Sequence, residues 1–104
     1  MYPQQEYIAV DEVMIGADES NYPITAGKIT FFNRGNYPVK VGLIKLVPGA
    51  TYQVNTEHPN LIRRFWRILF DFAATPATPT ERAALGLDNM PLLVIQTMTP
   101  ERYI

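Results

Sequence analysis

Turn residues interrupt this chain so often that long regular elements have little room. Nine prolines and six glycines are spread over 104 residues, at spacings that suit short strands better than long helices. A chain of this length buries about two-thirds of its surface on folding, and 47% of its residues are hydrophobic. The sequence therefore predicts one domain over residues 1–104, with residues 1–6 as an extended arm and 101–104 as a short tail.

Four segments have the composition and alternation of β-strands. Apolar residues alternate over residues 7–15 until a glycine breaks the run, and we expect a loop from residue 16 to residue 26. β-Branched and aromatic residues predict further strands at 28–33, 51–54 and 92–98, the last one bounded by prolines.

Three turns are predicted from their residue types. A run of turn residues occupies 33–36, and Gly42-Leu43 joins two short apolar segments as a type II′ hairpin loop, with glycine at the first central position. Pro48-Gly49 is typical of a type II turn. Pro38 donates no backbone hydrogen bond, so it must lie at a strand edge or start.

The segment 61–72 decides the fold class, because two periodicities fit it. As a helix it would gather its polar residues on one side, and as a strand it would show one unbroken apolar face. Aromatic and isoleucine content favours the strand, which we adopt, and the alternative is an α+β fold with a helix at 60–73. The polar set is Arg63, Arg64, Arg67 and Asp71, and the apolar face is Trp66, Ile68, Phe70 and Phe72.

One short helix is predicted near residues 79–85. Thr78 can cap it, Pro79 suits the first helical position, Glu81 completes a capping box, and Gly86 ends it. Together these elements predict a mainly β protein, a small antiparallel β-sandwich with one short helix.

This order of elements resembles that of small bacteriophage virion proteins over about residues 27–97. The resemblance implies a compact β-sandwich used as a head-associated, decorating or fibre-anchoring module, with a strand at 66–72. It also implies location in the virion. The residues that carry it are Ile29-Thr30-Phe31-Phe32-Asn33-Arg34-Gly35, Val39-Lys40-Val41-Gly42, Leu46-Val47-Pro48-Gly49, the aromatic stretch 65–72, and 92–95.

The net charge of −1 conceals an uneven distribution along the chain. Five acidic residues and no basic ones precede Ile24, whereas residues 28–67 hold seven basic residues and one acidic residue. This pattern fits either a front segment that lies on the middle one, within a subunit or between neighbours, or two solvated faces that never meet.

The chain offers little for catalysis or metal binding. His58 and Ser20 are the only residues of their types, there is no cysteine, and no glycine-rich phosphate-binding motif occurs. Zinc would need several His or Cys ligands. We therefore expect no enzyme, no catalytic residues, no cofactor and no metal, although paired carboxylates for proton transfer can form in any fold.

Binding to nucleic acid is the main alternative use of the arginines. Arg63, Arg64 and Arg67 lie beside Phe65 and Trp66, and arginines with aromatic residues can hold phosphates and stack on bases. A net charge of −1 and a pI near 5.7 do not provide the broad basic surface of such proteins. Nucleic acid is therefore not the expected partner.

The sequence thus predicts a structural module that binds copies of itself or other structural proteins, without membrane contact. The first residues lack the basic region and apolar stretch of a signal peptide, and no apolar run is long enough to span a membrane, so we expect no signal peptide and synthesis in the cytoplasm. The rival function is a soluble sandwich that binds a ligand such as carbohydrate, with Trp66 or tyrosines as stacking surfaces. The predicted interface residues are Tyr2, Tyr7, Trp66, Arg63, Arg64 and Tyr103.

Overall fold

A computed structural model describes residues 6–55 and 62–102, and these contain eight β-strands and one α-helix. The prediction of a mainly β sandwich with one short helix is confirmed. The elements are β1 (Glu6–Ile15), β2 (Glu19–Ala26), β3 (Lys28–Asn33), β4 (Val39–Val41), β5 (Ile44–Leu46), β6 (Thr51–Asn55), β7 (Ile62–Phe70), α1 (Pro79–Leu85) and β8 (Leu93–Arg102).

The strands form two antiparallel sheets. Sheet A has the order β1-β8-β3-β6, and sheet B has the order β2-β7-β4-β5. Gly27 alone separates β2 from β3, so the chain passes from sheet B to sheet A within one residue. β1 and β8 pair over ten positions, but β3 pairs with β8 only up to Met98, so residues 6–9 and 99–102 form a two-stranded ribbon beyond β3.

The core lies between the two sheets and is built from alternate residues of each strand. Phe31 of sheet A contacts Trp66 of sheet B, with ring centroids 5.0 Å apart. Burial of such side chains stabilises the fold by about 1.5–3 kcal/mol each. The buried cluster consists of Ile15, Ile24, Ala26, Ile29, Phe31, Val39, Val41, Leu46, Trp66, Ile68, Phe70, Leu93 and Ile95.

Segment 61–72 contains a strand rather than the alternative helix. Trp66, Ile68 and Phe70 are buried on one face of β7, and Phe65 and Arg67 are exposed on the other. The apparent helical stripe has a simple origin. Arg63, Arg67 and Asp71 recur every four positions, and a spacing of four also returns to the same face of a strand, whereas Arg64 falls on the other face.

Two strand predictions were wrong in extent. Residues 19–26 form β2 rather than part of a loop, pairing with β7 through Tyr22↔Trp66 and Ile24↔Arg64. β8 does not end before Pro100 but continues to Arg102. Pro100 is tolerated because it pairs with Ile8 of β1, beyond the last residue of β8 that pairs with β3.

The turn and cap predictions are confirmed. Gly42 has a φ of +60° and Leu43 has no positive φ, as a type II′ turn requires, and Gly49 has a φ of +87°. The N–H of Ala50 donates to the carbonyl of Val47 at 2.9 Å, which closes the Pro48-Gly49 turn. In α1 the Thr78 hydroxyl accepts from the N–H of Glu81 at 3.2 Å, and Gly86 provides the left-handed stop.

Candidate interaction surfaces

The outer face of sheet B carries cationic and apolar side chains together. Phe65 is 71% exposed, and Arg67 follows it on the same face of β7. The backbone register places Lys40 beside Leu69 and also beside Lys45. We call this surface, formed by Phe65, Arg67, Leu69, Lys40 and Lys45, the basic face.

A groove of about 290 Å³ runs along part of the basic face. Lys40, Lys45 and Leu69 line it, and Asp71 contributes the one carboxylate among its lining residues. The described side chains that project from the basic face are therefore suited to an anionic partner that also offers apolar contact.

Trp66, which the sequence predicts at an interface, lies in the core. Its side chain is 4% exposed because β7 turns this position towards Phe31, and its indole Nε1 has no hydrogen-bond partner among the described residues. The interface prediction for Trp66 is wrong for that reason, and so is its use as a carbohydrate stacking surface. Arg64, two residues earlier, is exposed and places its guanidinium 4.4 Å from the centroid of the Trp66 ring.

Phe65 is an exposed aromatic residue of β7 that the predicted interface set does not include. Phe65 and Trp66 are adjacent, so only one of them can face the core of a strand. The apolar face that the sequence offers for the strand runs through Trp66, and it therefore indicates that Phe65 points outwards.

The structure does not describe the side chains of four other predicted interface residues. Tyr2 and Tyr103 lie outside the described residues. Tyr7 and Arg63 lie in strands, where the backbone alone is described, and Arg63 pairs with Thr25. Their roles as interface residues stay predictions.

Of the two side chains considered for catalysis, the structure describes only Ser20. Ser20 is exposed in β2, next to the irregularity between Glu19 and Tyr22, and His58 lies outside the described residues. Within residues 6–55 and 62–102, no three His, Cys, Asp or Glu side chains converge in a way that could hold a metal ion.

The acidic front segment divides between the two sheets. β1 joins sheet A beside β8, whereas β2 pairs with the basic strand β7. The front and middle segments therefore meet through backbone pairing, and Asp18 adds one contact by accepting a hydrogen bond from the N–H of Phe70 at 2.8 Å.

The free edges of the two sheets differ in how they are protected. β5 has three residues, and β2 contains Pro23 and an irregular register, both of which hinder pairing with another strand. β1 has ten residues and β6 has five, and neither contains proline or a register shift. Among the strands that the structure describes, none pairs with the outer edge of β1 or β6.

Sheet B does not fully cover the inner side of β1 at Val13. It pairs with the buried Ile95 and so points to the inner side of sheet A, yet it is 40% exposed. Asp11, on the same side, is also exposed.

No helix in the described part of the chain is long and apolar enough to cross a membrane. Comparisons with protein-family models, curated proteins and solved structures find no match to this chain.

Proposed function

We propose that this protein is a non-catalytic structural module that docks through its basic face onto an acidic surface of a larger protein assembly. The observation that carries this proposal is the exposure of Phe65, 71%, next to Arg67 on one face of β7. Aromatic residues, including phenylalanine, and arginine are enriched at protein–protein interfaces relative to the rest of the protein surface.

An acidic protein surface suits the basic face better than a nucleic acid does. The cations lie in two groups, Arg67 next to Phe65, and Lys40 with Lys45 next to Leu69, so apolar contact accompanies each group. The net charge of the chain is −1, which gives little long-range attraction for a polyphosphate. The virion implied by the sequence resemblance is one assembly that this function fits.

The proposal is tested by following the chain in extracts of its natural source. Tagged wild type and Phe65→Ala are expressed there, and the fraction that sediments with large particles is measured. We expect the ratio of unsedimented to sedimented protein to be about tenfold higher or more for Phe65→Ala than for the wild type. The reason is that a central aromatic contact contributes about 2 kcal/mol or more to binding. Leu43→Ala is the matched control, since Leu43 is 90% exposed but lies at the hairpin tip outside the basic face.

Three results would overturn the proposal. One is an unchanged distribution of Phe65→Ala, and another is an equal loss for Leu43→Ala. The third is release of the wild type by nuclease, which would identify nucleic acid as the partner. The thermal unfolding midpoint of Phe65→Ala should match that of the wild type, since the removed side chain is mostly exposed.

A further inference from the structure

We propose that copies of this chain join edge to edge, with β1 of one copy pairing against β6 of the next in an antiparallel ladder. The joint would extend sheet A from one molecule into its neighbour. It goes beyond docking through the basic face, because neither Phe65 nor sheet B takes part in it.

Strand direction makes this pairing geometrically simple. Each of the three strand pairs in sheet A is antiparallel, so the two edge strands, β1 and β6, run in opposite directions. A copy displaced sideways along the sheet therefore brings its β1 antiparallel to β6 of the first copy. The core-facing side of sheet A in the displaced copy then continues the core-facing side of sheet A in the first copy.

The side chains at the two edges match in two adjacent rows, whereas the next row brings Asp11 opposite Val54. Glu12, Gln96, Thr30 and Gln53 occupy one continuous row across the outer face of sheet A. Extending that row by one strand places Glu12 of the next copy opposite Gln53. The Gln53 amide can then donate a hydrogen bond to the Glu12 carboxylate.

The neighbouring row, on the core-facing side of sheet A, brings two apolar side chains together. It runs Val13, Ile95, Phe31 and Tyr52, and the same extension places Val13 of the next copy opposite Tyr52. Val13 is 40% exposed and Tyr52 is only partly buried, so both gain cover when the edges meet. A neighbouring copy would therefore cover part of the Val13 side chain that sheet B leaves exposed.

Charge selects β6, rather than a second β1, as the occupant of the β1 edge. Pairing two β1 strands would bring the Asp11 and Glu12 carboxylates of both copies into one ladder, and like charges across a ladder are destabilising. β6 has the sequence Thr-Tyr-Gln-Val-Asn and carries no charge. Because the joint pairs two different edges, a joined pair still has a free β6 edge on one copy and a free β1 edge on the other. Further copies can therefore add in the same way and form a ring or a filament.

Disulfide trapping tests the joint directly, because the chain contains no cysteine and has no background reaction. Glu12→Cys and Gln53→Cys are made as separate proteins, and each is oxidised alone and after mixing. Opposed residues of an antiparallel pair have Cα atoms about 4.5–5.5 Å apart, which a disulfide can bridge. We expect disulfide-linked dimers in the mixture and none in either protein alone.

A second mixture provides the matched control. Glu12→Cys is combined with Arg67→Cys, which places a thiol on the exposed face of sheet B, and no linked dimer is expected there. The double variant Glu12→Cys/Gln53→Cys should give a ladder of dimers, trimers and longer chains. It cannot close within one molecule, because three strand spacings of about 4.8 Å separate the two positions.

The possible results separate this joint from the docking function. Linked dimers in Glu12→Cys alone would show that two β1 strands meet and would overturn the proposal. Equal linkage with Arg67→Cys, or a wild type that stays monomeric by light scattering at all concentrations, would also overturn it. None of these outcomes bears on the sedimentation of Phe65→Ala, so either proposal can fail alone.

Discussion

At the scale of single residues, Asn33 shows how a buried polar group can organise a loop. Its side-chain amide donates to the carbonyls of Tyr37 at 2.8 Å and Leu46 at 2.9 Å, and its side-chain oxygen accepts from the N–H of Gly35 at 3.1 Å. One side chain therefore binds three backbone groups, two in the connection between β3 and β4 and one at the end of β5. Replacing it by an apolar residue would remove a donor from the carbonyls of Tyr37 and Leu46, whereas the Gly35 N–H would keep its bond to the Leu92 carbonyl at 3.0 Å.

We expect Asn33→Ala to lower the free energy of unfolding by about 2–4 kcal/mol, because it removes three hydrogen bonds, two of them to the backbone carbonyls of Tyr37 and Leu46. Urea unfolding followed by circular dichroism measures this change. Asn21→Ala is the control, since Asn21 is exposed in β2 and its loss should change stability by no more than about 0.5 kcal/mol. Similar losses for the two variants would contradict the role given to Asn33.

Residue chemistry predicts conformations here better than it predicts contacts. Gly42, Gly49 and Gly86 have the positive φ angles that their turn and cap positions demand, because few other residues tolerate that backbone. The contacts of Asn33 could not be read from the sequence in the same way. Gly35 and Tyr37 are close along the chain, but the Leu46 carbonyl of sheet B comes within reach only once the two sheets are packed.

At the scale of elements, α1 is held by its ends rather than by a buried face. None of its seven residues is buried, and its first turn is fixed by the bond from the Glu81 N–H to the Thr78 hydroxyl. An isolated helix of this length is unstable in water. Local order at residues 79–85 therefore depends on the cap, whereas the sandwich core does not.

Thr78→Ala should open α1 locally without unfolding the domain. Loss of an N-cap costs about 1 kcal/mol, so hydrogen exchange of the amides in residues 82–87 should speed up about fivefold. The same loss should lower the global free energy of unfolding by about 1 kcal/mol, which leaves the domain folded. Thr80→Ala is the matched control within the same helix and should not speed exchange, whereas equal effects of both variants would argue against capping by Thr78.

The sequence predicts the elements correctly where turn residues or aromatic residues mark them. The predictions are wrong for the edge strand β2 of sheet B and for the end of β8. β2 has only two buried residues and contains Pro23, because it lies at the edge of sheet B and exposes most of its side chains. An edge strand needs no apolar alternation, so its sequence looks like a loop. β8 was underestimated for a related reason, since Pro100 is acceptable only where the neighbouring strand has ended.

At the scale of the whole molecule, the two proposed surfaces do not compete. The joint uses the edges of sheet A, and docking uses the outer face of sheet B. Because a sideways displacement keeps each face on its own side, every basic face in a row of copies would point in the same direction. Such a row would present several weak docking sites to one large partner, and linked sites bind more tightly than single ones.

This arrangement predicts that weakening the joint also weakens docking. Gln53→Glu places a carboxylate opposite Glu12 of the next copy, and Gln53→Lys places an amine there. A cross-strand pair of this kind should change the Kd of the joint about two- to fivefold, in opposite directions for the two variants. Light scattering over a range of protein concentrations measures that change, and Gln53 is exposed, so both variants should keep the stability of the wild type.

Docking should then follow the strength of the joint. In sedimentation with particles from the natural source, the bound fraction of wild type should rise steeply with its concentration, because each bound copy recruits the next. Gln53→Glu should give a shallower curve that is displaced to higher concentration, and Gln53→Lys a curve displaced to lower concentration. Phe65→Ala should lose binding at every concentration while it still self-associates. If Gln53→Glu and Gln53→Lys bind the particles equally although their self-association differs, each copy docks alone, and the row has no part in the function.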